Sequence, residues 1–142
     1  MPMMIVGEAP GAEEERLGRP FVGASGQELD RMLGEAGISR TECVVTNVCK
    51  VRPPRNDITQ FFARSKKALT SEHVLLRDRW VLPCVREGFI LLIAEIEQAQ
   101  PSMIIPLGNV AMWALTGQWG IGKWRGSMLD VDTNEMRAAL NG

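Results

Sequence analysis

The sequence predicts an α/β protein with three αβα layers, in which helices cover both faces of a central, mostly parallel sheet. Two features predict this class. Strand and helix signals alternate along the chain, the order that places parallel strands side by side between covering helices. The runs Met3-Met4-Ile5-Val6, Cys43-Val44-Val45-Thr46-Asn47-Val48 and Met103-Ile104-Ile105-Pro106-Leu107 are short and continuously apolar or β-branched, as strands buried on both faces are. A third feature places the ligand. Gly7-Glu8-Ala9-Pro10-Gly11 follows the first strand, and Gly18-Arg19-Pro20-Phe21-Val22-Gly23 precedes a helix. Together they bring backbone N–H groups and short polar side chains to the carboxyl edge of the sheet, where open α/β folds bind.

Taken in order, the first strand, residues 3–6, stops at Pro10 and Gly11, and Glu13, Glu14, Glu15 and Arg16 read as a solvated charge run on a long loop. Ser25-Gly26-Gln27-Glu28 fits a capping box. Leu29, Met32, Leu33 and Ala36 then fall on one helix face, stopped by Gly37 where a left-handed residue is needed. The second strand, residues 44–47, delivers Asn47 to the same sheet edge as Glu8. Pro53 and Pro54 force the following chain out over the surface, and Lys50, Arg52 and Arg55 travel with it. Residues 57–82 have no clear period; Arg64, Lys66 and Lys67 make the segment basic, while Phe61, Phe62 and Trp80 mark it as packed. Phe89, Leu92, Ile93 and Ile96 share a helix face that must end by Pro101. After the third strand, residues 103–107, Asn109 is the expected N-cap of a helix containing Ala111, Met112, Ala114 and Leu115.

Composition narrows the function. With 142 residues and 45% apolar content, the chain is expected to form one domain, residues 1–142, with a substantial core. A net charge of -1 and a pI near 5.9 exclude a surface that is basic throughout, leaving local basic patches as the means of meeting nucleic acid. Three cysteines at irregular spacing give neither a disulfide framework nor a paired metal motif, which fits a reducing, cytoplasmic setting. The longest apolar run, residues 89–94, is far shorter than a bilayer span, so no membrane partner is expected. The first loop lacks the Lys-Ser/Thr of a P-loop and the spacing of a dinucleotide fingerprint, which weakens a reading as a nucleotide-phosphate binder.

The two Gly/Pro clusters, then Thr46-Asn47-Val48 with Lys50 and Arg52-Pro53-Pro54, then Leu107-Gly108-Asn109, Ala114-Leu115-Thr116-Gly117 and Arg125-Gly126, resemble the uracil-DNA glycosylase superfamily. They are closest to its family-four branch and to related domains of phage proteins. The resemblance implies excision of uracil from DNA, single-stranded or duplex, by hydrolysis of the N-glycosidic bond after the nucleotide is flipped out. It implies that Phe21 stacks on the uracil ring and that Asn47 hydrogen-bonds its polar edge, since an amide donates and accepts at once. Glu8, with Ala9 and Pro10, is implied beside the sugar and the attacking water, where a carboxylate polarises water and offsets developing positive charge. Glu14 falls at a second acidic motif position and joins Glu8 in the implied catalytic pair. Lys50, Arg52, Arg55 and Arg125 are implied to meet the DNA phosphates.

Two departures from the family pattern carry expectations of their own. Family-four members hold an iron–sulfur cluster on four cysteines; here Val51 stands at one such position, Cys84 lies near another and Cys49 is displaced by two, so no metal and no cofactor is expected. The family also has a His-Pro motif downstream of Arg-Gly, and no histidine follows Arg125-Gly126 up to Gly142. Three explanations stand open: a truncated sequence, a fused or separate partner that completes the site, or a non-catalytic nucleic-acid-binding domain, as in a phage replication protein. Singly, each motif has an ordinary explanation as a turn, a core aromatic or a backbone cap; their joint order carries the resemblance.

Overall fold

In chain order the elements are β1 (Met3–Gly7), α1 (Ala12–Leu17), α2 (Ala24–Glu35), β2 (Cys43–Asn47), β3 (Val74–Leu76), β4 (Arg79–Val81), α3 (Pro83–Ala99), β5 (Met103–Pro106), α4 (Asn109–Thr116) and α5 (Thr133–Ala138), with short 3-10 turns between them. This computed structural model describes residues 2–120, 122 and 129–141. β1 is the central strand of a three-stranded sheet ordered β2-β1-β5. Both neighbours run parallel to it, with Met3 opposite Cys43 and Met103, and Gly7 opposite Asn47. All three strands read from the sequence are therefore present, and their carboxyl ends share one edge.

The pleat of β1 divides the core in two. Met4 and Val6 join the larger cluster, built with Phe89, Leu92 and Ile93 of α3 and with Val110, Trp113 and Ala114 of α4. Ile5 points the other way, onto Leu29 and Leu33 of α2, with Phe21 and Leu107 against them. Helices thus cover both faces of the sheet, which makes the three layers. The expected faces of α3 hold, with Phe89, Leu92, Ile93 and Ile96 all buried. Of the expected α2 face only Leu29 and Leu33 are buried; Met32 is 44% exposed and Ala36 is exposed.

Three expectations about helix starts are corrected. Glu13 to Arg16 are not loop: they lie in α1, and Glu14 folds back to accept the Gly11 N–H at 3.0 Å, the reciprocal half of a capping box. Ser25 is not a cap, because α2 begins at Ala24 behind Gly23, and Glu28 pairs instead with Arg31. Inside the helix the preceding loop passes close: a Cβ at Gly26 would stand 2.1 Å from the Phe21 carbonyl oxygen. Asn109 is the first helical residue of α4, flanked by Gly108 at φ 105°. Gly37 does take the left-handed conformation, at φ 74°, and Ile38 N–H closes on the Leu33 carbonyl at 2.8 Å.

The segment without a clear period resolves into 3-10 turns and a β3–β4 hairpin. Its inner face docks on α4 through Phe62, and Phe62 and Trp119, the latter just past α4, meet Trp113 edge-on at centroid distances of 5.5 and 6.3 Å. Trp119 is therefore a packing residue; Trp124 lies outside the described residues. Asp78 accepts the Trp113 indole N–H at 2.8 Å, and Arg79 stacks 3.7 Å above Trp119. No helix among the described residues is long and apolar enough to cross a membrane.

Candidate active site

The register that puts Gly7 opposite Asn47 fixes where the two principal loops leave the sheet. Beyond it the ladder continues for one more turn of chain, with Cys49 N–H donating to the Glu8 carbonyl at 2.9 Å. Glu8 and Asn47 thus emerge side by side because parallel pairing forces their strands to end together. Phe21 reaches the same point from the α1–α2 connection. Gly7 lies between them: a Cβ there would be 2.4 Å from Phe21 Cζ and 2.5 Å from Asn47 Oδ1. Only a residue without a side chain lets an aromatic ring and an amide share that spot.

Phe21 is held in an unusual backbone state, φ 53°, disfavoured for a residue with a side chain. Arg40 stabilises it. From a 3-10 turn just before β2, its guanidinium donates to the Phe21 carbonyl at 2.7 Å and the Gly26 carbonyl at 3.0 Å, and pairs with Asp30 at 2.8 Å. Sequence reading missed Arg40, since nothing local links it to a loop 19 residues earlier.

Asn47 is only 7% exposed. Its side-chain amide has no hydrogen-bond partner among the described residues.

Glu8 stands at the start of α4, where its Oε2 accepts the Val110 N–H at 2.8 Å. The helix can approach because position 108 is glycine; a Cβ there would be 2.6 Å from Glu8 Oε2. Burial pushes the Glu8 carboxyl above its ordinary value and the Asp57 charge adds to this, while the Val110 donor pulls the other way. Asp57 is a second residue that sequence reading passed over. Ala9 and Pro10 follow, both half-buried, with Ala9 packed on the larger core cluster.

Glu14 is of a different kind. Its Oε1 takes the Gly11 N–H at 3.0 Å, and its Oε2 takes those of Val22 and Gly23 at 2.9 and 3.0 Å. Burial acts to raise its carboxyl, but the donors from Gly23, Val22 and Gly11 outweigh it and hold the group below its ordinary value. Both oxygens are engaged by backbone, so Glu14 ties the Gly11 turn to the Phe21 loop.

Of the expected phosphate-binding residues, Lys50 faces the protein. The chain after β2 does run outward, but Lys50 Nζ turns in, donating to Thr46 Oγ1 at 2.8 Å, to the Asn47 carbonyl at 2.6 Å and to Glu95 Oε1 at 2.6 Å. Those three acceptors match its three protons. Arg52 donates to Asn56 Oδ1 at 2.8 Å and lies 3.8 Å from Glu15, joining the second loop to α1. Arg55, at φ 58°, is exposed and has no ion pair among the described residues. Arg125 lies outside the described residues. His73 sits on an exposed turn and bonds to Thr70.

The cysteines do not compose a four-thiolate set. Cys49 Sγ comes within 3.9 Å of the Cys84 carbonyl, while Cys43 stands at the opposite end of β2. Among the described residues no group of three or more metal-ligating side chains converges. A cavity of about 1210 Å³ runs along the open edge of β5 between Met32, Met112, Leu129 and Val131. None of Glu8, Phe21 and Asn47 lines it; those three lie at the strand ends.

Similarity to known proteins converges on one family. The chain is 34% identical over 110 residues to a Type-4 uracil-DNA glycosylase of Thermotoga maritima, covering 78% of this chain and 46% of that protein. It is 57% identical over 54 residues to the Type-4 uracil-DNA glycosylase of Pyrobaculum aerophilum, 38% of this chain and 28% of the relative. Over 54 residues it is 50% identical to that of Archaeoglobus fulgidus, 38% and 27% of the two chains. Each match spans less than half of the relative's length. The model of the Uracil DNA glycosylase superfamily matches residues 1–138, almost the whole chain, and the chain belongs to that superfamily.

Proposed function

We propose that this protein is a DNA-repair hydrolase that removes uracil from DNA by cleaving its N-glycosidic bond. The observation that carries the reading is the meeting of Phe21 and Asn47 over Gly7, one residue before Glu8. A flipped base needs a flat apolar surface for its ring and a mixed donor and acceptor for its edge. Phe21 supplies the first and Asn47 the second. Glu8, partly desolvated, orients a water toward C1′ and offsets the positive charge that grows on the sugar as the C1′–N1 bond breaks. The water oxygen joins C1′ as its proton passes to the Glu8 carboxylate, and uracil leaves as an anion with the bonding electron pair and takes a proton from solvent. Glu14 acts on this step by fixing the loop that carries Phe21, and Ala9 and Pro10 line the space beside the base. Arg52, Arg55 and Arg125 attract the phosphates of single-stranded or duplex DNA.

A second reading, a nucleic-acid-binding domain with little activity, is favoured by one observation: His73, the one histidine of the sequence, bonds Thr70 on an exposed turn. Without a donor to the leaving uracil anion, the rate falls by about a hundred- to thousandfold. A fused segment or partner supplying that donor would restore it. Uracil release from single-stranded and duplex oligonucleotides, with binding measured alongside, separates the two. Slow release lost on Phe21→Ala and Asn47→Ala supports the hydrolase; binding that ignores uracil, with no base released, supports the binding domain; the absence of both release and binding would sink both readings.

A further inference from the structure

Thr46 and Asn47 are the buried polar residues of β2, 6% and 7% exposed, and β2 is an edge strand whose outward carbonyls have no strand partner. Lys50 fills that gap. It bonds the Asn47 carbonyl at 2.6 Å and is itself fixed by a closed ring: Lys50 Nζ donates to Thr46 Oγ1, Thr46 Oγ1 donates to Glu95 Oε2 at 2.8 Å, and Glu95 Oε1 accepts from Lys50 at 2.6 Å. Glu95 comes from α3, so the ring ties the end of β2 to the longest helix in the fold. Neither cation nor carboxylate is fully desolvated, with side chains 31% and 36% exposed, which spares the pair the full penalty of a buried ion pair.

We propose that Lys50 is a positioning residue, held by Thr46 and Glu95, that sets the Asn47 amide for reading the base rather than contacting DNA phosphates. The inference rests on the reading of Asn47 as the residue that bonds uracil. Removing Lys50 leaves the Asn47 carbonyl and the Glu95 charge without their donor, and the strand end is free to shift. A displacement of about 1 Å at a reacting group can cost on the order of a hundredfold in rate.

The test compares wild type with Lys50→Met, which keeps the stem and loses the charge. The Asn47 side-chain amide resonances are expected to shift and broaden, and kcat/KM for uracil release to fall by roughly ten- to a hundredfold. DNA affinity and its salt dependence are expected to stay unchanged, and Lys50→Arg, which returns a donor, is expected to recover part of the rate. Unchanged amide resonances would overturn the proposal, as would a drop in DNA affinity with a salt slope shallower by about 0.7 to 0.9, the mark of a lost phosphate contact. Should Lys50→Met fail to fold, Glu95→Gln is read in the same way. If wild type releases no uracil, the functional reading falls, and the amide resonances still decide the positioning role.

Discussion

The Phe21 ring and the Asn47 side-chain oxygen close on Gly7 from two different loops, each within 2.5 Å of where a Cβ would stand. Both obstacles are side chains, so Gly7→Ala is expected to fold, with a loss of about 1 to 3 kcal/mol from overpacking. The ring and the amide are pushed apart in doing so. Uracil release is expected to drop on the order of a hundredfold. Thermal melts beside a release assay check this; a wild-type rate would show that the two side chains do not act as a pair.

Glu8 should shape the acid side of the pH profile. Burial, and after it the Asp57 charge, raise its carboxyl above 4.5, so the folded protein holds this proton more tightly than the unfolded chain. The stability this brings is full below pH 4.5 and is lost as pH rises through the higher folded value. The ionised form, proposed to orient the water, appears over the same interval. The acid limb of kcat/KM is therefore expected above the ordinary glutamate range. Asp57→Asn keeps the oxygen that accepts the Thr59 N–H and removes the like charge, so it should move that limb to lower pH. A limb that does not move would separate Asp57 from Glu8.

Glu14 should behave in the opposite sense. Glu14→Gln turns one of two accepting oxygens into a donor, leaving the Gly11 N–H or those of Val22 and Gly23 unsatisfied. The expected loss is about 1 to 3 kcal/mol, toward the lower end because water reaches part of the side chain. Backbone donors outweigh the effect of burial and hold this carboxyl below 4.5, so its contribution is present above pH 4.5 and fades as pH falls through the lower folded value. Urea unfolding of both proteins should show a gap at neutral pH that narrows in acid. A gap independent of pH would count against the carboxylate as its source.

Two arginines are expected to separate cleanly. Arg40→Ala removes the donors that hold the carbonyls of Phe21 and Gly26, so it should abolish the preference for uracil over thymine while leaving the salt dependence of DNA binding intact. Arg55→Ala touches no such bond; it should weaken binding to all sequences alike and lower the salt slope by about 0.7 to 0.9. Binding isotherms at several salt concentrations distinguish them, and exchanged phenotypes would overturn both assignments.

Much of this protein is written locally. Strands 3–6, 44–47 and 103–107 are legible because a strand buried on both faces must be continuously apolar, and the face of α3 because its burial follows a 3.6-residue period. Glu8, Phe21 and Asn47 are legible as motif positions on loops that parallel strands bring to one edge. The chain order does not reveal what holds them. Arg40 is chosen by carbonyls 14 and 19 residues away, and Lys50 is turned inward by Glu95, 45 residues on. Gly23, not Ser25, precedes α2, and the Phe21 loop closes on the helix at Gly26, a contact no local pattern announces. Propensity and periodicity act over a few residues, whereas a charge takes whichever partner the packed fold brings within 3 Å. The sequence by itself therefore determined the sheet and the residues at its edge; tertiary structure alone decided which charges face the site and which brace it.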